Sequence, residues 1–229
     1  EAAFYGPAMF MFVVTAFVAL YLRQLPVPDA APRPPRGPWR WTDIPVLAPL
    51  GQGYALRTAI FCGLFCFNSV SMYMLTSWLP TLLRGVGFSF EGSSLLASVL
   101  QIGGLLGGLV LAVQMDRQRT VGALLVGYAV VALCLVALAL VAPAIAAWGT
   151  ILLLVGMGVG GAHMAMPAVA AGIYPATMLS AGIGLAVTIA RLGAMAGPMI
   201  GAALVGAQVS AGGFFLVLLA PVAGCVLCV

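Results

Sequence analysis

Of 229 residues, 63% are hydrophobic and 6% charged, where an ordinary soluble domain carries about 25% charged residues. Such a chain does not cover a water-facing surface, which excludes a soluble enzyme or a nucleic-acid-binding domain and leaves a polytopic membrane protein. Nine basic residues, all arginine, against five acids give a net charge of +4. The chain opens on Glu1 without methionine and stops at Val229 inside an apolar run, so we expect a piece of a longer protein.

Seven apolar spans are predicted, each long enough to cross a bilayer core. The first covers residues 4–22 and lacks the basic leader and small-residue cleavage site of a signal peptide. Residues 23–57 follow as a polar linker holding eight prolines and five arginines. Its Ala31-Pro-Arg-Pro-Pro-Arg-Gly-Pro38 core cannot sustain a helix, because proline lacks the amide donor and clashes with the preceding turn. Trp39, Trp41 and Tyr54 suit a membrane interface. The second and third spans cover 59–83 and 94–113, joined by the short loop 84–91. After Met115-Asp116-Arg117-Gln118-Arg119-Thr120 come a fourth span, 121–141, and a fifth, 149–173. Tyr174-Pro175 turns the chain into a sixth, 179–205, and a seventh begins near Phe214.

With the first span leading inward, seven arginines lie on one side of the membrane and only Arg84 on the other. The positive-inside rule places the arginine-rich side in the cytoplasm.

The polar residues within spans are few and unevenly shared. The second span carries Asn68, Ser69, Ser71, Tyr73, Thr76 and Ser77, and the third carries Gln101. The fifth has His163, the only histidine, and the sixth has Thr188 and Arg191. The fourth and seventh hold almost nothing polar apart from Tyr128. Four wet spans and two dry ones imply a central cavity with peripheral helices, since buried polar groups must face one another or water. Arg191 is the only charge inside a long apolar run, and a guanidinium there needs protein, water or an anion beside it. It either pairs with a ligand carboxylate or holds a structural partner. His163 either contacts a ligand or packs as a neutral, hydrogen-bonded ring. Gln101, Asn68 and Tyr73 are further ligand contacts or interhelical bonds, and Phe67, Tyr73 and Trp78 are stacking candidates or apolar core.

Glycines four residues apart (Gly103/Gly107, Gly104/Gly108, Gly193/Gly197/Gly201) predict close helix packing. Gly156, Gly158, Gly160 and Gly161 with Pro167 mark the fifth span as bendable. The five cysteines, at 62, 66, 134, 225 and 228, all fall in apolar runs. Cys225-Val-Leu-Cys228 has redox or metal spacing without a second pair or histidine, so small apolar helix residues are expected there. No catalytic residue, metal or cofactor is expected. A membrane-embedded enzyme wants a nucleophile with a base or clustered metal ligands, and no acid lies within any span.

Several of these stretches together resemble the C-terminal half of a major facilitator superfamily transporter, specifically the aromatic acid:proton symporter family. Ser77-Trp78-Leu79-Pro80-Thr81-Leu82-Leu83 is similar to that family's end of helix seven. Gly103-Gly104 through Met115-Asp116-Arg117 is similar to helix eight and the loop behind it. Gly160-Gly161-Ala162, Tyr174-Pro175, Gly182-Ile-Gly184, Ala190-Arg191-Leu192-Gly193 and Gly197-Pro198 are similar to helices ten and eleven. The resemblance implies an all-α fold made of the last helix of the N-terminal half (1–22), a cytoplasmic linker (23–57) and the six-helix C-terminal bundle (58–229).

It further implies a multi-pass protein of the bacterial inner membrane that takes up an organic anion with a proton, by alternating access between two halves, one of them missing here. Arg191 falls where the family has an arginine in helix eleven, implying a carboxylate-binding or coupling role. His163 stands where glutamine is more frequent. Asp116-Arg117 resembles a Gly-x-x-x-Asp-Arg loop signature, implying a gate, with Ala112 in place of the glycine. Leu179 replaces an arginine common after Tyr-Pro, and Leu25-Pro26-Val27-Pro28-Asp29 departs from the usual Leu-Pro-Glu-Ser-Pro. An exporter, a carrier of non-aromatic anions and a non-transporting receptor are the alternatives.

Overall fold

The computed structural model describes residues 2–22, 48–51 and 53–229. Most of the proline-rich linker, with Trp39 and Trp41, lies outside the described residues. Among those described there are helices and no strands. Helix α1, Ala2–Leu22, stands as its own unit. Its sequence is almost wholly apolar, and the Thr15 hydroxyl donates back to Met11 O at 2.8 Å.

The second unit begins with a single 3-10 turn, Ala48–Leu50, and continues as α2 (Ala55–Gly85), α3 (Phe90–Asp116), α4 (Thr120–Leu140), α5 (Ile145–Ile173), α6 (Leu179–Gly206), α7 (Ala211–Val217) and α8 (Leu219–Cys228). Among the described residues, six segments are long and apolar enough to cross a membrane, with α7 and α8 together forming the last. The chain is therefore a multi-pass membrane protein. Helices α2 and α3 exceed their predicted spans at both ends, because backbone hydrogen bonding continues past the last apolar residue.

The seventh span is interrupted, and its sequence explains where. Pro221 has no amide hydrogen for Val217 O and its ring crowds that carbonyl. The helix pauses at Leu218 and resumes at Leu219. Serines start two of the helices. Ser89 Oγ accepts from Gly92 N at 3.1 Å and Ser210 Oγ from Gly213 N at 3.2 Å, the N-cap arrangement that satisfies an otherwise unpaired amide.

Helix α3 ends at a Schellman turn in which Arg119 N donates to Gln114 O and Gln118 N to Met115 O, both at 2.9 Å. Gln118 holds φ 56° there, a conformation glycine usually supplies. The turn fixes the direction in which Asp116, Arg117 and Arg119 leave the bundle.

Helices α2 and α5 form the centre, with α6 packed closest on α2 and α3 closest on α5. Helix α4 and the α7–α8 segment lie behind them. Glycine makes both tight pairings possible. A Cβ added at Gly103 or Gly107 would strike the carbonyls of Leu153 and Met157, and one at Gly193 or Gly201 would strike Cys66 O or the Trp78 ring. Gly104 and Gly108 are looser, with added Cβ atoms 3.4 and 3.6 Å from their neighbours. The glycines of α5 are likewise consumed in packing: Gly156 and Gly161 seat α3, and Gly158 seats Val131 of α4. Helix α5 continues through them and through Pro167.

Candidate functional site

Helix α2 turns most of its polar residues inward. Asn68, Ser69 and Ser71 are buried, and Ser71 and Thr76 donate back to Phe67 O and Met72 O. Asn68 is the hub. Its Nδ2 donates to Val159 O at 3.3 Å and reaches His163 Nδ1 at 3.4 Å, while its Oδ1 accepts from the Tyr128 hydroxyl at 3.1 Å. Every polar atom of Asn68 is thereby satisfied inside the bundle. It is an interhelical clamp, not an open ligand contact. Tyr128, the one polar group on a dry helix, is the clamp's fourth member.

This network orients His163. With both amide hydrogens of Asn68 committed, Nδ1 of the ring is an acceptor, so the ring proton sits on Nε2. That nitrogen is the ring's remaining donor. The half-buried imidazole is flanked by Phe65 (centroids 5.3 Å, interplanar 70°) and by half-buried Tyr73 (6.1 Å, 77°). Both present edge-to-face geometry. Phe65 was absent from the sequence-derived candidates. Its signal is the Phe65/Asn68/Tyr73 spacing, which puts all three toward α5 when α2 faces it.

Arg191 is exposed on α6, on the face carrying Thr188, Met195 and Met199, opposite the Gly193/Gly197 stripe that meets α2. It lies within electrostatic range of His163. Thr188 donates its hydroxyl to Gly184 O at 2.8 Å. His163, Tyr73 and Phe65 thus form one group, a fixed imidazole donor and two rings, with the Arg191 guanidinium exposed on α6. These groups have the chemistry to pair with a negative charge, pack a planar face and donate to an oxygen.

The other candidates divide differently. Gln101 is exposed on α3 in line with Ser94 and Ser98, and no contact joins it to His163. Phe67 is 41% exposed and packs against Gly224 of α8, away from the histidine. Trp78 donates Nε1 to Pro198 O at 3.0 Å and covers Gly201, so it ties α2 to α6. Of the α2 candidates Tyr73 faces His163, whereas Phe67 and Trp78 pack elsewhere, because a helix with polar residues on several faces does not announce which face meets α5.

Asp116 is the exposed last residue of α3 and Arg117 its C-cap. Asp116 sits at the negative end of its own helix dipole, so a favourable helix-end partner for it must belong to another helix. No group of three or more metal-ligating side chains occurs among the described residues, and the five cysteines are free thiols.

Residues 1–198 match the Major Facilitator Superfamily, and the chain belongs to that family. A carrier scaffold rather than an enzyme is what this membership identifies. Within it, the chain is 33% identical over 153 residues to the 4-hydroxybenzoate transporter PcaK of Pseudomonas putida, covering 67% of this chain and 34% of that protein. It is 30% identical over 150 residues to the gallate transporter of Pseudomonas putida, covering 66% and 32%. To the 3-(3-hydroxy-phenyl)propionate transporter of Escherichia coli it is 30% identical over 165 residues, covering 68% and 38%. The matched segment is about a third of the length of these relatives.

Proposed function

We propose that the protein to which this chain belongs is a secondary transporter that takes up an aromatic carboxylic acid of benzoate or hydroxybenzoate type together with a proton. One observation carries the reading. An exposed arginine at mid-span stands near a histidine whose free donor and flanking rings suit a hydroxylated aromatic anion, in a chain whose named relatives transport hydroxylated aromatic acids. Arg191 pairs with the substrate carboxylate, bidentately and at any working pH. Phe65 and Tyr73 pack the ring, and His163 Nε2 donates to the carboxylate or to a ring hydroxyl. Gln101 contacts the substrate from the opposite wall when the cavity closes.

In this reading α1 closes a first half of the transporter, residues 23–57 link the halves on the cytoplasmic face of a bacterial inner membrane, and residues 58–229 form the second half. The two halves rock about the site. Asp116 and Arg117 latch the cytoplasmic rim by meeting a positive helix end of the other half in one state. Apart from Asp116 and Glu91, at the ends of α3, no described helix carries an acid, so the carboxylate that takes the proton belongs to the other half.

The test is uptake of labelled 4-hydroxybenzoate by cells carrying the full-length parent protein, with and without a protonophore. Saturable uptake abolished by the protonophore is expected. Arg191→Lys should raise KM about tenfold or more, the loss of one charge-assisted hydrogen bond, at unchanged membrane level. Uptake indifferent to the substitution makes Arg191 a structural charge. Uptake competed by aliphatic but not aromatic acids points to the non-aromatic carrier instead.

A further inference from the structure

We propose that the crevice between α3 and α4 binds an anionic phospholipid, with an acyl chain lying against α5 and the phosphate on Arg119. Helices α3 and α4 each pack on α5 but touch one another only weakly. Between them runs a cavity of about 640 Å³, within the range of about 300–1,000 Å³ typical of ligand clefts. Val110, Leu111, Val126, Val130, Leu154 and Met157 form its walls. Its polar side chains, Gln114 and Arg119, both lie at the end where α3 turns into α4.

The dimensions match one leaflet. From Arg119 to Val130 the helix rises roughly 16 Å at 1.5 Å per residue, about half of a hydrocarbon core of about 30 Å. A chain lying there starts at headgroup depth and ends near the bilayer midplane. The walls belong to helices long and apolar enough to cross a membrane, so acyl chains are the solvent at the mouth of this crevice.

Charge selects the headgroup. A second cavity of about 640 Å³ adjoins the first, sharing Arg119, Gly122 and Leu124 with it. It adds Arg57, Gln118 and Thr120 at the same end of the bundle. Two guanidiniums with neighbouring hydroxyl and amide groups favour a phosphate with no compensating ammonium, as in phosphatidylglycerol. The Schellman turn at Gln118 holds Arg119 in this place. Gly122 keeps the entrance clear, because an added Cβ there meets nothing within 4 Å.

The inference does not rest on the transport reading, and its test does not use transport. The full-length parent protein, purified in a mild detergent, is mixed with dioleoylphosphatidylglycerol or dioleoylphosphatidylethanolamine and its lipid adducts are counted by native mass spectrometry. Phosphatidylglycerol should be retained about fivefold more than phosphatidylethanolamine, the effect of one arginine at an anionic headgroup. Arg119→Gln should abolish the preference. Gly122→Leu, whose side chain enters open space, should remove the adducts of both lipids while the fold is retained. A preference surviving both substitutions, or equal retention of the two lipids by the unaltered protein, overturns the proposal. Displacement of phosphatidylglycerol by inorganic phosphate also overturns it, since the cavity is then a free-anion site.

Discussion

At the scale of single residues, the informative finding is how completely Asn68 is occupied. Two other helices contribute to its bonds: Tyr128 from α4, and Val159 and His163 from α5. Removing either side of the Tyr128–Asn68 bond leaves a buried polar atom alone, which costs about 1–3 kcal/mol. Asn68→Leu and Tyr128→Phe should each lower the thermal stability of the purified parent protein. Because the two share one bond, the double variant should lose clearly less than the sum. Additive losses would show that the hydroxyl and the amide act separately. The sequence disclosed that Asn68, His163 and Arg191 were the costly residues of their helices, since polar groups in an apolar span always are. It did not disclose that Asn68 is consumed as a clamp while His163 keeps a free donor. That distinction depends on Tyr128, sixty residues away in a helix with nothing else polar in its interior.

Between elements, backbone proximity organises the bundle. The α3–α5 contact is so close that a Cβ at Gly156 would strike Leu100 O. Such overpacking costs about 1–3 kcal/mol, or more where the obstacle is backbone. Gly156→Ala should therefore sharply reduce thermal stability and membrane level. Gly122→Ala, with open space around its new Cβ, should be neutral or should stabilise by about 0.5–1 kcal/mol through helix propensity. Melting temperatures of the two variants check this. Equal effects would mean that glycine content as such, and not α3–α5 proximity, sets stability. Small-residue spacing in the sequence marked the contact glycines Gly103, Gly107, Gly193, Gly197 and Gly201 of α3 and α6. For the α5 glycines it left bending and packing both open, because spacing identifies a smooth helix face without saying whether a neighbour fills it.

For the molecule as a whole, the bundle and the end of the linker are fastened together. The Tyr174 hydroxyl donates to Thr58 Oγ1 at 3.0 Å, and Thr58 donates to Pro49 O at 2.8 Å. Tyr174 also packs on Gly182 and on the Phe61 ring at 6.3 Å, and burial pushes its phenol above the ordinary tyrosine range, so the hydroxyl stays a donor. Tyr174→Phe should loosen residues 48–51. In limited proteolysis of the parent protein, cleavage there should rise about fivefold, matching about 1 kcal/mol for one hydrogen bond. Cleavage unchanged by the substitution would leave the aromatic packing as the whole of the fastening.

Composition and apolar run length alone determined the class and the order of the six spans between residues 55 and 228, because hydrocarbon tolerates little besides helices that satisfy their own backbone. Arginine placement likewise anticipated that Arg57 and Arg119 meet at one end of the bundle, where they border a common cavity. Only the tertiary structure decided which helix face each polar residue occupies. It brought Phe65 rather than Phe67 to His163, gave Trp78 to the α2–α6 seam, and opened a crevice beside Arg119. The physical reason is that a helix carries its polarity around a full turn, and the packing of its neighbours selects the face that counts.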